Sequence, residues 1–256
     1  MAPKELVIAL FTAVFMDHDP EAARGLIAPD YIQHNPQIET GADGLINLIP
    51  VLEQTGVTVT THRILAEGDL VVLHNSYDNA HAFGAPQLAA FDVFRVQEGR
   101  VVEHWDNLQP IPETTVSGRG MTDGPTQITD LHRTEENKQL VLGFVRDVLG
   151  GAGPEAAPRY MDPEIYIQHN PNIADGLAGL MAAIEAYAAQ GQVITQFEPR
   201  IVVAEGNFVF VASDAVMGGE PWAFFDLWRV ENGRIVEHWD VVSPIPAEMA
   251  HDNGKF

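Results

Sequence analysis

The hexapeptide VVEHWD occupies residues 101–106, and IVEHWD occupies residues 235–240. Each sets two carboxylates, an imidazole and an indole within six positions. Alternate residues of a strand share a face, so His104 stands with Asp106 and His238 with Asp240. A carboxylate beside an imidazole can take a proton and give it back near neutral pH. The preceding strand brings a second acid, Asp92 or Asp226. Neighbouring acids on a half-buried sheet shift each other's pKa, so one tends to stay protonated while the other serves as base.

Whether these groups meet depends on the register of the hairpin that joins the two strands. The turn reads Gln97-Glu98-Gly99 in one place and Glu231-Asn232-Gly233 in the other. A three-residue loop with glycine in the left-handed region would put His104 opposite Asp92, with Asp92, Phe94, Val102, His104 and Asp106 on one face. Phe91, Val93, Arg95, Glu103 and Trp105 would then share the other face. A two-residue turn would put His104 opposite Val93 and move the side chains to opposite faces. The sequence leaves both registers open. Arg95 and Arg229 are expected to pair with Glu103 and Glu237 across the strands. Trp105 and Trp239 are expected to pack, where the two halves meet.

The repeat extends beyond the hexapeptide. YIQHNP recurs at residues 31–36 and 166–171, and AEGDLVVL at 66–73 is answered by AEGNFVFV at 204–211. FDVFRVQEGRVVEHWDNLQPIP at 91–112 is answered without gaps by FDLWRVENGRIVEHWDVVSPIP at 225–246. The blocks keep their order, so the chain is a tandem duplication of a unit of about 115 residues, an ordinary domain size. The copies are expected at 1–115 and 134–256, with a linker at 116–133 rich in Gly, Thr and Asp. Each copy predicts helices first (4–16, one opening at Pro20, and 43–54 in copy one; 136–149, one opening at Pro154, and 177–190 in copy two). A short extended piece ends at Pro36 or Pro171. Strands follow, in copy one at about 57–66, 69–78, 88–96 and 100–109. Helices before antiparallel strands indicate an α+β layer fold.

Composition narrows the function classes. The net charge of −22 and the absence of any basic cluster argue against nucleic acid or an anionic membrane as partner. No apolar run approaches membrane-spanning length. The apolar start, MAPKELVIALFTAVFMDHD, lacks a small-residue cleavage site and reads as an amphipathic helix. With no cysteine there is no disulfide and no thiolate chemistry, and a cytoplasmic location is expected. No glycine-rich phosphate loop appears. Asp92, His104, Asp106 and His34 are metal-ligand types, but without helical ligand spacing neither metal nor cofactor is expected.

The runs YIQHNP, AEGDLVVLH and FDVFRVQEGRVVEHWD resemble the SnoaL-like polyketide cyclase family, within the NTF2-like, ketosteroid-isomerase-like superfamily. The resemblance covers nearly all of each copy. It implies two tandem cone-shaped domains, each a curved antiparallel sheet wrapped on helices around a pocket, fused as an intramolecular pseudo-dimer that could itself form a homodimer. It also implies cofactor-free acid–base chemistry on a small apolar carbonyl compound, by aldol-type cyclisation or isomerisation. A non-catalytic small-molecule binder, or an epoxide hydrolase or dehydratase on the same fold, is the alternative. By the resemblance, Asp92 and Asp226 fall on the isomerase's oxyanion aspartate, and Asp106 and Asp240 on the cyclases' acid–base aspartate. The isomerase's general base becomes Asn35 and Asn170, which cannot take a proton. Its tyrosine donor falls near Phe11, which has no hydroxyl. Steroid isomerisation is therefore not expected. His104 and His238 would assist the acids. His34 and His169 would reach the pocket as acid–base groups. Asn35, Asn170 and His74 would contact substrate, along with wall residues Tyr31, Phe94, Tyr166 and Trp228. His74 has no histidine counterpart in copy two, where Ala212 stands, so copy one is the favoured active copy.

Overall fold

The structure is a computed structural model that describes residues 1–151 and 153–256. It divides into two compact units: unit 1 comprises 1–110 with 245–256, and unit 2 comprises 111–244. Their ends do not coincide with those of the sequence copies. The stretch read as a linker belongs to unit 2, and the last residues of copy two, 245–256, belong to unit 1.

Unit 1 opens with α1 (Pro3–Phe11), where Glu5 accepts a hydrogen bond from the backbone of Ala2 at 3.0 Å and closes the first turn. A wider π-turn at Thr12–Met16 follows. Asp19 caps α2 (Pro20–Leu26) by accepting from the amides of Glu21 and Ala22. The helix expected over 43–54 is two short ones, α3 (Ala42–Ile46) and α4 (Ile49–Thr55). Pro50 explains the break, because proline tolerates a first turn but not a helix interior. Strands β1 (Ile27–Gln33), β2 (Thr58–Glu67), β3 (Leu70–Asp78), β4 (Gln87–Gln97) and β5 (Arg100–Pro110) form one sheet.

The sheet order is β1-β5-β4-β3-β2. The expected antiparallel sheet is mixed, because β1 runs parallel to β5, with Gln33 beside His104. This is the extended piece ahead of Pro36, recruited as an edge strand. Leu6, Val7 and Leu10 of α1 lie buried against Val71, Leu73 and Phe94 of the sheet in one apolar core. Burying such side chains contributes about 1.5–3 kcal/mol each.

Unit 2 repeats the plan. It has α5 (Thr134–Phe144) with a π-turn at Val145–Leu149, and α6 (Gly176–Ala189), here unbroken. A tight helical turn at Pro154–Arg159 contains Pro158 and replaces the second helix. Its sheet, β6-β10-β9-β8-β7, is built from β6 (Ile167–Gln168), β7 (Ile194–Glu205), β8 (Phe208–Met217), β9 (Glu220–Glu231) and β10 (Arg234–Pro244). Among the described residues no helix is long and apolar enough to cross a membrane.

Candidate functional site

The β4–β5 hairpin resolves the register in a way neither expectation stated. Its turn has two residues, Glu98 (φ +50°) and Gly99 (φ +75°), and Gln97 faces Arg100. One step further on, a bulge at Val102 interrupts the ladder, since Val96 pairs with Val101 but Arg95 pairs with Glu103. The extra residue restores the parity that the short turn alone would have reversed. Phe94 therefore faces His104, and Asp92 faces Asp106. In β9–β10, Trp228 faces His238 and Asp226 faces Asp240, with the same interruption after Ile235. The face expected of the three-residue loop is the one observed, reached by a different pairing.

In unit 1 the groups on that face form one network. His104 Nδ1 lies 3.0 Å from Gln33 Oε1, and His104 Nε2 lies 3.2 Å from Asp92 Oδ1. Gln33 Oε1 also accepts from the amides of His34 and Asn35, at 3.0 and 2.9 Å, which fixes it as an acceptor. His104 Nδ1 must then carry hydrogen. A neutral His104 would turn a bare Nε2 toward a bare carboxylate, so one proton belongs between Asp92 and His104. Asp92 Oδ2 accepts from Asn75 Nδ2 at 2.7 Å and from the Tyr77 hydroxyl at 3.0 Å. Asp106 Oδ2 accepts from Asn35 Nδ2 at 2.6 Å. Lys255 Nζ donates to the Asp106 carbonyl at 2.5 Å and stands 3.6 Å from Asp106 Oδ1. Burial, then the charges of Asp106 and Asp92, holds the Tyr31 phenol well above its usual range, and burial followed by Asp92 does the same for Tyr77. Both hydroxyls stay protonated.

Unit 2 repeats the proton arrangement. Gln168 Oε1 accepts from the Asn170 amide at 2.9 Å and from His238 Nδ1 at 3.0 Å, and His238 Nε2 meets Asp226 Oδ1 at 3.0 Å. Burial pushes Asp226 well above the usual carboxylate range and His238 down to about 4. Both shifts favour the shared proton on Asp226. Asp240, which accepts from Asn170 Nδ2 at 2.7 Å, is raised by burial to about 6.

A pocket in unit 1 encloses about 550 Å³ of space, counting its open mouth, and joins this network to the helices. Leu10, Phe11, Val14, Phe15, Leu45 and Leu48 supply apolar walls. Tyr31, Gln33, Asn35, Tyr77, Asp92, His104 and Asp106 supply polar groups, and Phe94 stacks on His104 at 4.4 Å. In unit 2 the larger Trp228 stacks on His238 at 5.1 Å, and Tyr166 lies on it at 6.3 Å.

Three expected site residues lie elsewhere. His34 points away from the pocket, with Nδ1 on the Gly254 carbonyl at 2.9 Å and Nε2 on Glu103 at 3.1 Å. His169 does the same with Gly120 and Glu237, at 2.7 and 2.9 Å. Strand alternation explains both: Gln33 and Gln168 face inward beside the buried histidine, so the next residue faces outward. His34 stacks on Trp105 at 5.1 Å, and His169 on Trp239 at 4.8 Å. His74 pairs with Phe91 and is on the outer face, stacked on that ring at 4.3 Å and 3.0 Å from Arg63 Nη1. The Arg95–Glu103 and Arg229–Glu237 pairs are present, at 2.9 and 2.7 Å. Gln33, Asn75, Tyr77 and Lys255 were not singled out from sequence. YIQHNP carries Gln33 one residue ahead of the histidine that drew notice, and Asn75 and Tyr77 alternate on β3.

Ligand-type atoms of Asp92, His104 and Asp106 lie within 4.8 Å of one another, as do those of Asp226, His238 and Asp240. Hydrogen bonds already engage both ring nitrogens of each histidine, both oxygens of Asp92 and one oxygen each of Asp106, Asp226 and Asp240, and in unit 1 an ammonium stands beside Asp106. A metal bound through either imidazole would have to break one of its hydrogen bonds.

The SnoaL-like domain profile matches residues 7–104 and 141–238. No protein with a curated description matches the chain. Among solved structures, TsrD from Streptomyces laurentii is 22% identical, covering 42% of this chain and 89% of its own, with a TM-score of 0.37. IdmH from Streptomyces antibioticus, a proposed polyketide cyclase, is 26% identical over 43% of this chain and 93% of its own, with a TM-score of 0.36. An NTF2-like protein of unknown function from Mesorhizobium loti is 24% identical over 42% of this chain and 90% of its own, with a TM-score of 0.36.

Proposed function

Both halves of this chain belong to the SnoaL-like domain family, and from that premise we propose that unit 1 is an acid–base enzyme for a small apolar carbonyl compound of polyketide type. The observation that carries the reading is the gathering of Asp106 and the one-proton Asp92–His104 pair beside the apolar pocket. Asp106 takes a proton from the carbon next to the carbonyl, and Asn35 holds the carboxylate in place. The proton shared by Asp92 and His104 turns to the developing enolate oxygen, where a preorganised donor acts on charge that forms only in the transition state. Tyr77 and Asn75 keep Asp92 oriented. In an isomerisation, Asp106 returns its proton to a different carbon. In an aldol closure, the enolate carbon bonds to a second carbonyl carbon, and the new alkoxide takes the proton from Asp106. Neither route needs a cofactor.

Solvent exchange tests this without knowledge of the natural substrate. Cyclic and open-chain 1,3-dicarbonyl compounds and aryl ketones in D2O, followed by proton NMR, are expected to lose their α-proton signals faster with the protein. Asp106→Asn is expected to slow that exchange by about 10²–10⁴-fold, the usual range for a positioned base. Saturable binding of these compounds with no exchange would favour the non-catalytic binder. Exchange unchanged in Asp106→Asn would overturn the assignment of the base.

A further inference from the structure

We propose that Lys255, brought in by the segment 245–256, is a positioning residue that keeps Asp106 ionised and so makes the unit 1 site different in kind from that of unit 2. The inference rests on the reading of Asp106 as base. The segment is anchored along the end of β1. Ala250 N donates to the Pro36 carbonyl at 2.8 Å, and Asn253 Nδ2 donates to the Gln33 carbonyl at 2.9 Å. His34 Nδ1 donates to the Gly254 carbonyl at 2.9 Å. The next residue, Lys255, is 7% exposed and sets its ammonium 3.6 Å from Asp106 Oδ1.

Unit 2 provides the comparison within the same chain. There His169 Nδ1 donates to the Gly120 carbonyl, and the residue after that glycine is Met121, 1% exposed. A thioether thus follows the accepting glycine where unit 1 has an ammonium. Among the described residues neither Asp106 Oδ1 nor Asp240 Oδ1 has a hydrogen-bond partner, so what sets Asp106 apart is the ammonium 3.6 Å away. The remaining titratable groups facing Asp106 are Asp92 on β4, His104 on β5 and the phenols of Tyr31 on β1 and Tyr77 on β3. The helices offer the pocket only apolar side chains. Lys255 is therefore the ammonium among the groups that face Asp106. Burial lowers the Lys255 pKa, and Asp106 opposes that effect. An opposite charge at this distance favours the carboxylate. Asp240, buried without such a partner, rises to about 6. Asp106 thus has an ammonium 3.6 Å from its Oδ1, whereas Asp240 is raised by burial to about 6.

Carbon-13 NMR of aspartate-labelled full-length chain tests this without any turnover. Asp106 is expected to titrate below Asp240. Lys255→Met, which matches the residue unit 2 already carries, is expected to raise Asp106 by about 1–3 pH units, and Lys255→Arg to restore it. Lys255→Gln, whose amide can still donate to the Asp106 carbonyl but carries no charge, is expected to raise Asp106 likewise, which keeps a test available should Lys255→Met loosen its segment. Asp106 and Asp240 titrating together in the unaltered chain would overturn the proposal, as would an Asp106 unmoved in a folded Lys255→Met chain. If the exchange activity itself proves absent, these titrations still read out the Lys255–Asp106 coupling. If activity is present, the acid limb of the exchange profile moves to higher pH in Lys255→Met.

Discussion

In each unit a glutamine carbonyl decides which nitrogen of a buried histidine carries hydrogen, and the histidine in turn decides where a proton sits on an aspartate. Unit 2 expresses this as a neutral pair, Asp226 acid and His238 base. The stability consequences have opposite signs. Asp226 and Asp240, both raised by burial, hold protons that the unfolded chain releases above about pH 4, so each costs stability as pH rises toward its folded pKa. His238, lowered to about 4, costs stability as pH falls below its unfolded value. Between about 4 and 6 the Asp240 and His238 slopes largely cancel. Asp226, raised by burial, adds a declining slope up to its own folded pKa. Asp226→Asn cannot ionise, and its amide can donate to His238 Nε2 as the protonated acid does. Thermal melts at pH 6, 7 and 8 are expected to show a decline for the unaltered chain that is about 1–3 kcal/mol shallower in Asp226→Asn. Equal slopes would show that Asp226 is ionised throughout. At this scale the sequence showed the acids and the buried histidines, because they lie two apart on one strand. It hid Gln33, Asn75 and Tyr77, because their role depends on neighbouring strands. It misplaced His34 and His169 because the parallel β1 edge, which turns Gln33 inward, has no local sequence signature.

The strands set these contacts through a turn and a bulge. Both hairpins use a two-residue turn with positive φ at each position, Glu98-Gly99 and Asn232-Gly233. Asparagine and glycine suit that backbone, whereas a glutamate side chain meets the steric cost of the left-handed region without a compensating local hydrogen bond. Glu98→Asn is expected to stabilise unit 1 by about 0.5–1 kcal/mol, and Asn232→Glu to destabilise unit 2 by about as much. Denaturant midpoints for each unit, followed by residue-resolved NMR, check both. A Glu98→Asn midpoint below that of the unaltered chain would contradict the turn geometry. The glycine was legible as a turn marker. The bulge at Val102 was not, because valine has no preference for that position and pairing across the sheet selects it. Face parity survived the wrong pairing because a shift of two residues leaves each side chain on its own side. The helix break at Pro50 follows from proline chemistry alone, and copy two, with no proline between Gly176 and Ala189, runs its helix through.

At the scale of the whole chain, the duplication was plain in the sequence, but the ownership of the two connecting stretches was not. The first reads as a linker, and the second as the end of copy two. Their value lies instead in backbone carbonyls and single buried side chains, which composition does not register. Residues 111–133 belong to unit 2, where Gly120 receives His169 and the Asp123 carbonyl receives Trp239 Nε1 at 2.8 Å. Residues 245–256 belong to unit 1, where Gly254 receives His34. Each unit is therefore completed by the stretch that follows the last strand of the other unit's sheet. A chain ended after Pro244 removes only residues that follow the last strand of unit 2 and is expected to loosen unit 1. The lost bonds at Gln33, His34 and Pro36, at about 0.5–1.5 kcal/mol each, should lower amide-exchange protection across 33–36 and 104–106 by about 10–100-fold. Protection at 168–170 and 238–240 should stay as in the full chain, because their covering stretch is 111–133. Hydrogen exchange read by mass spectrometry separates the two patterns. Loss confined to unit 2 would mean that each stretch serves the unit whose last strand it follows, and the exchange of segments would have to be abandoned.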